Sequence, residues 1–205
     1  MLFLSGVLPW LQQHYVELIA VITGLLYVAY TIRENNLLWL FGIISSGLYI
    51  WIFFKAGIYA YALLYFYYVF IGFYGWYNWS RKPAESTKSE KKLRIHQASP
   101  GYLLGCLASI FILTLPIYLV LKYYTASDMA LADAILTAGG MVATWMLTQK
   151  LLDQWLFWIV IDLLSFSVMI YKELYPSSLL FLVYALLAVK GYIVWKKELK
   201  RPEIS

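Results

Sequence analysis

The sequence predicts an all-α integral membrane protein: seven transmembrane helices in a 3+1+3 layout, two parallel three-helix repeats joined by one extra helix. Three observations predict it. The chain is 62% hydrophobic and only 13% charged, where a soluble domain carries roughly 25% charged residues. No water-soluble core of 205 residues hides that much apolar surface, so lipid is the solvent for much of it. The apolar residues fall into seven continuous runs. Residues 59–79 and 175–195 also carry one pattern written twice, 116 positions apart without a gap. Tyr59 matches Tyr175, Leu64 matches Leu180, Tyr68 matches Tyr184, Gly75 matches Gly191 and Trp79 matches Trp195. The register extends backwards, with Trp39 on Trp155, Phe41 on Phe157, Gly24 on Gly140 and Glu17 on Asp133. A repeat of this kind fixes the architecture.

The elements follow in order. Residues 1–15 lack a positive n-region and break at Pro9, so they read as an interfacial lead-in rather than a signal peptide. Helices are expected over about 16–33, 37–54, 58–79, 101–122, 130–149, 153–171 and 175–196. Each is ~17–23 residues, enough to cross ~30 Å of hydrocarbon at 1.5 Å per residue. The runs are continuous rather than alternating, which excludes a barrel. Residues 16–79 form the first repeat and 130–196 the second. Between them lie a basic linker, 80–99 (SRKPAESTKSEKKLRIHQAS), and the central helix 101–122; residues 197–205 are a tail. Three helices is an odd number, so the central helix must reverse the chain for both repeats to insert the same way up.

Basic residues in the turns set the orientation. One side holds Arg33, Arg81, Lys82, Lys88, Lys91, Lys92, Arg94, Lys150, Lys196, Lys197, Lys200 and Arg201; the other holds Lys55, Lys122 and Lys172. Twelve against three puts the linker and C-terminus in the cytoplasm and the N-terminus outside. The net charge of +5 then faces anionic headgroups, not nucleic acid. Cys106 has no partner for an internal disulfide, and His14 and His96 lie in different flanks, so no metal or other cofactor is expected. A Walker A loop, an HExxH motif and a nucleophile elbow are all absent. These absences argue against ATP hydrolysis by this chain, so movement is expected to be downhill or coupled to an ion.

Chemistry concentrates at Asp162. Eight residues before it in its helix and nine after it are uncharged, which places it near the bilayer midplane. An acid there costs ~2.5–3.5 kcal/mol and faces a polar cavity or a partner. The functional reading is a site for a cationic or hydrogen-bonding solute; the bland one is an acid paired with a neighbour or kept protonated. Lys190 is the basic candidate, but it lies nearer the helix end, where it snorkels. Trp155, Trp158, Ser165 and Met169 share the Asp162 face at helical spacing. The repeat puts Trp39, Gly42, Ser46 and Tyr49 at equivalent places. The third helix adds Tyr61, Tyr65, Tyr68 and Gly72, matched by Ser177, Phe181, Tyr184 and Ala188. Such rings hold a flat cation by stacking and cation–π contact, although aromatic stripes more often pack or face lipid. The expected binding set is Asp162, Trp158, Ser165, Ser46, Tyr49, Tyr65, Tyr68 and Tyr184. The end clusters YGWYNW and GYIVW are expected as interfacial belts, with Gly75 and Gly191 allowing close helix contact.

The stretches WLFGIISSGLYIWIFFKAGIYAYALLYFYYVFIGFYGWYNW and QWLFWIVIDLLSFSVMIYKELYPSSLLFLVYALLAVKGYIVW resemble the two repeats of the PnuC family of bacterial vitamin transporters. The resemblance covers most of the chain. It implies a SWEET-like fold in the inner membrane and facilitated diffusion of a cationic vitamin by alternating access. It further implies trapping by a cytoplasmic kinase, and assembly as a homo-oligomer, a trimer. Carriers of nicotinamide riboside tend to place Asn or Gln in the second, third and sixth helices. Here those regions offer Ser45 and Ser46, Tyr65 and Gly72, and Asp162, which favours thiamine, with nicotinamide riboside as the alternative. Riboflavin is a third possibility. A sugar facilitator would show a Pro-Gln pair in the first helix of each repeat, and neither repeat has one. A membrane receptor would add an output domain, and an enzyme would need a convergent acid, base or metal set.

Overall fold

A computed structural model describes the backbone of residues 2–55, 59–81 and 93–201. Seven helices appear among them: α1 (Leu2–Ile32), α2 (Leu37–Lys55), α3 (Tyr59–Ser80), α4 (Pro100–Tyr124), α5 (Ala130–Thr148), α6 (Gln154–Tyr171) and α7 (Tyr175–Leu199). Apart from the start of α1, every boundary lies within three residues of its expected place. The exception is instructive: α1 runs unbroken from Leu2, so the expected lead-in is helix. Pro9 fixes φ near its helical value and does not end the element here. Five described helices (α2, α4, α5, α6 and most of α7) are long and apolar enough to cross a membrane. α3 has 22 residues, but its tyrosines lower its hydropathy.

Local chemistry sets the helix ends. Ser99 caps α4, its hydroxyl accepting from the Tyr102 N–H at 3.3 Å with Pro100 at the first position, the preferred arrangement for a helix start. α1, α5 and α6 each end on a non-glycine residue in the left-handed region: Glu34 (φ 51°), Lys150 (φ 56°) and Glu173 (φ 58°). The following N–H closes each cap, from Asn35 to the Tyr30 carbonyl, Leu151 to Met146 and Leu174 to Met169.

The helices close into a ring. α1 packs on α2, α2 on α3, α3 on α5, α5 on α6, α6 on α7, and α7 back on α1. α4 stands outside this ring, mainly against α5, with Cys106 and Leu121 its buried residues. The contacts repeat under the 116-residue offset: α1–α2 matches α5–α6, and the two seams, α3–α5 and α7–α1, match each other. Such pairing is that of a pseudo-two-fold axis through the ring, as the parallel repeats require.

The core sits at the end of the ring where α1 meets α2 and α5 meets α6. Trp39, Trp79, Trp155 and Trp195 are all buried there. Trp39 meets Trp79 edge-on at 5.6 Å, Trp155 meets Trp195 edge-on at 5.6 Å, and Trp79 meets Trp195 across the axis at 6.2 Å. Each outer ring lies over a glycine: Trp39 over Gly75, Trp155 over Gly191. The duplicated pattern is thus a packing device. Trp79 and Trp195 correct the belt expectation, because a neighbouring helix covers each. Their ring N–H groups donate across the seams, Trp79 to the Leu147 carbonyl at 3.2 Å and Trp195 to the Thr31 carbonyl at 3.1 Å. Trp76 and Tyr77 of the same cluster are exposed.

The linker beyond residue 92 is docked rather than free. His96 N–H donates to the Lys150 carbonyl at 3.2 Å, Leu152 N–H to the His96 carbonyl at 2.9 Å, and Ala98 N–H to Asp153 Oδ2 at 2.7 Å. Ile95 is buried in the tryptophan core. The basic stretch 82–92 lies outside the described residues.

At the opposite end, Lys172 Nζ lies 2.7 Å from Asp128 Oδ1 and 3.9 Å from Asp133 Oδ2, tying the α4–α5 turn to the α6–α7 turn. The ammonium holds the Asp128 carboxyl below its usual range. A folded-state pKa below the unfolded value means the pair contributes fully above about pH 4 and is lost as pH falls through the folded value. Exposed pairs contribute little. Asp128→Asn is therefore expected to lower the melting temperature of the solubilised protein slightly at pH 7. The difference from the parent disappears in acid, below the carboxylate range, and in high salt.

Candidate functional site

Away from the tryptophan end, polar and aromatic side chains of α1, α2, α3, α6 and α7 approach one another and the glycines of α1, α2 and α5. Asp162 on α6 is 6% exposed, and among the described residues no hydrogen bond or ion pair engages its carboxylate. Lys190 is exposed and does not answer it. The reading of Asp162 as half of a buried ion pair is thereby excluded among the described residues. Tyr184 of α7 lies within electrostatic reach of Asp162 and of Tyr49 on α2.

The two signature tyrosines use the repeat. Tyr68 of the first repeat reaches Gly140 of the second, and Tyr184 of the second reaches Gly24 of the first. A Cβ on Gly140 would stand 2.8 Å from Tyr68 Oη and 3.7 Å from the Trp158 ring; one on Gly24 would stand 3.2 Å from Tyr184 Oη and 3.6 Å from Ser45 Oγ. A Cβ at Gly140 would force the Tyr68 hydroxyl to shift, and one at Gly24 would press on the Tyr184 hydroxyl, so glycine at both positions lets these tyrosines reach across. Tyr68 and Trp158 thus meet over α5. Tyr65 continues the wall, 5.7 Å from Tyr68 and 5.0 Å from Tyr49.

Hydroxyl bookkeeping separates structural groups from available ones. Ser45 donates to the Ala20 carbonyl at 3.0 Å, Thr23 to Ile19 at 2.7 Å, Thr144 to Gly140 at 2.8 Å and Ser178 to Tyr175 at 2.8 Å. Ser46 and Ser165 are equally buried, yet neither hydroxyl has a hydrogen-bond partner among the described residues. Buried polar groups are nearly always paired. The unengaged ones on α2 and α6 are Ser46, Asp162 and Ser165, the groups the sequence placed on these inward faces, with Ser46 and Asp162 at equivalent repeat positions.

Sequence reasoning missed Gln154 and Tyr27. Gln154 opens α6, is wholly buried, and both its amide atoms lack partners among the described residues, as do the ring N–H groups of Trp39 and Trp155. The premise that this chain offers no amide in its sixth helix is therefore corrected. The third helix has one too, Asn78, which donates to the Thr148 carbonyl at 2.8 Å. The 116-residue offset pairs Gln154 with Leu38, and that contrast is the signal that marks it. Tyr27 of α1, beside Tyr68 and against Gly42, was also missed. A cavity of about 490 Å³ between α3, α4 and α5, lined by residues such as Tyr67, Cys106 and Trp145, lies outside the ring and contains no expected site residue.

A ring of helices closed at one end by tryptophans, with buried unengaged polar groups away from that end, suits a membrane transporter. The comparisons agree. The family model described as nicotinamide mononucleotide transporter matches residues 14–197, and the chain belongs to that family, the PnuC group of membrane transporters for small vitamin-like substrates. The nicotinamide riboside transporter PnuC of Escherichia coli (strain K12) is 25% identical over 88% of this chain and 84% of its own length. That of Neisseria mucosa is 26% identical over 89% of this chain and 72% of its own length. A crystal structure of the vitamin B3 transporter PnuC shares the fold, with a TM-score of 0.74 at 23% identity, covering 96% of this chain and 87% of that one.

Proposed function

We propose that the chain carries nicotinamide riboside into the cell by facilitated diffusion, with Asp162 as counter-ion to the pyridinium ring. The carrying observation is the buried carboxylate that no side chain among the described residues engages. Tyr68, Trp158 and Tyr184 supply faces for a flat cationic ring. Ser46 and Ser165 supply hydroxyls for ribose or carboxamide, and Tyr49 and Tyr65 complete the wall. The relatives' names favour this substrate over thiamine, the one expected from the residues alone, and Gln154 removes part of that expectation's basis.

The residues also speak against the nucleotide in the family's description. A phosphomonoester carries about −1.5 to −2 charges at neutral pH, and no basic side chain among the described residues pairs with Asp162. Like charges facing each other in a desolvated site cost several kcal/mol. The basic asymmetry of the turns supports a cytoplasmic C-terminus, which puts the tryptophan end of the ring inside. Kinase trapping after entry and a trimeric assembly belong to the same proposal.

The test is titration of purified protein with nicotinamide riboside, nicotinamide mononucleotide, thiamine and riboflavin, read by heat flow. Saturable binding of the riboside is expected, with the mononucleotide at least about tenfold weaker. Tighter binding of thiamine would restore the other substrate; no binding by any of the four would sink the site itself.

A further inference from the structure

The 116-residue offset that duplicates the chain also places Glu34 on Lys150. These two positions bear opposite charges and are bonded to each other, Lys150 Nζ to Glu34 Oε2 at 3.1 Å, across the pseudo-two-fold axis. We infer that this pair is the latch of the tryptophan-end gate, a positioning pair that must part before solute can leave the ring there.

Four observations carry the inference. Both residues hold the left-handed conformation, which strains a side-chain-bearing residue and costs glycine almost nothing. Glu173 caps α6 in the same conformation; what sets Glu34 and Lys150 apart is that their strained turns hold side chains that bond each other. The pair joins the α1–α2 turn of one repeat to the α5–α6 turn of the other, so a movement that draws these two turns apart must break it. The Lys150 side chain is 8% exposed and its ammonium sits 4.4 Å from the centroid of the Trp79 ring, capping the four-tryptophan plug. Finally, the plug is not fully satisfied. Gln154 and the ring N–H groups of Trp39 and Trp155 lack partners among the described residues, so water gains hydrogen bonds when the end opens. A closed state with orphaned donors needs a tie to hold it, and the ion pair is one. The backbone bonds of His96 to Lys150 and Leu152, on either side of Leu151, tie that side of the latch to the linker.

The inference rests on the chain being a transporter with its solute path inside the ring, but not on which solute it carries. Its test therefore uses none. In a Cys106→Ser background, Ser46→Cys places a reporter thiol inside the ring. The reporter is labelled with a membrane-impermeant maleimide from the tryptophan-end face of oriented vesicles. Glu34→Gln and Lys150→Met are expected to raise the labelling rate about tenfold, within the range of a conformational coupling. The charge swap, Glu34→Lys with Lys150→Glu, is expected to return it to within about twofold of the parent. In the swap the lysine introduced at position 34 would meet Trp195, the equivalent of Trp79. Single variants that label no faster than the parent, or a swap as fast as the singles, would overturn the latch. Melting temperatures establish that each variant is folded. Should one single variant unfold, the other single and the swap decide together: faster labelling in the single with parental labelling in the swap supports the latch, and any other result overturns it. Loss of riboside binding with these labelling results intact would overturn the substrate and leave the latch standing.

Discussion

Asp162→Asn is expected to weaken nicotinamide riboside binding by about 10–100-fold, the 1.5–3 kcal/mol typical of an interaction with a charged partner away from water. The melting temperature of the solubilised protein should stay level or rise. The two readouts move apart for a physical reason. A carboxylate near the midplane costs ~2.5–3.5 kcal/mol to insert, and among the described residues nothing in the protein engages it, so its amide is no worse for the fold. A structural role would couple them: loss of a buried ion pair destabilises strongly because it strands the partner charge, and no partner charge is present among the described residues. Heat-flow titration beside thermal melting separates the cases. Unchanged affinity in Asp162→Asn would remove the carboxylate from the site, whatever the substrate.

Gly191→Ala is expected to destabilise the protein by about 1–3 kcal/mol or more, the usual range for overpacking a filled core. A Cβ there would stand 2.6 Å from the Trp155 ring, and Gly75 meets Trp39 in the same way. Real Cβ atoms do not approach a ring so closely, so something has to shift. Trp155 has nowhere to go, being 2% exposed and held edge-on by Trp195. The control is Gly47→Ala. A Cβ at Gly47 meets nothing within 4 Å, and alanine in a helix is better than glycine by about 0.8–1.0 kcal/mol. Opposite signs for the two substitutions in thermal melting are the expected result. Equal and small effects would mean that the signature glycines do not set the helix packing.

Much of this architecture was legible in the chain. The helices follow from run length and composition, and the repeat gave the ring its symmetry. Asp162, Ser46 and Ser165 came from helical spacing and depth, and all three are buried and unengaged. What hydropathy could not show was whether an aromatic faces lipid or another helix. Trp79 and Trp195 look like belt residues in sequence, because burial in protein and immersion in lipid select the same side chains. The start of α1 was missed because proline disfavours a helix interior without forbidding it. Gln154 was passed over because its neighbours draw attention as apolar residues. Glu34 and Lys150 each read as ordinary turn residues; only their shared register makes them a pair.

The two seams of the ring have a consequence for its assembly. α3 leans on its own repeat's α2 and on the other repeat's α5, while α1 leans on α7. Neither trio is therefore a folding unit with a finished surface, since each leaves half of both seams waiting for its counterpart. Severing the peptide between positions 82 and 92 removes none of these seam contacts, so a nicked protein keeps what holds its halves together. A ribosome that stops after α3, in contrast, leaves Tyr68 facing an empty place where Gly140 has yet to arrive.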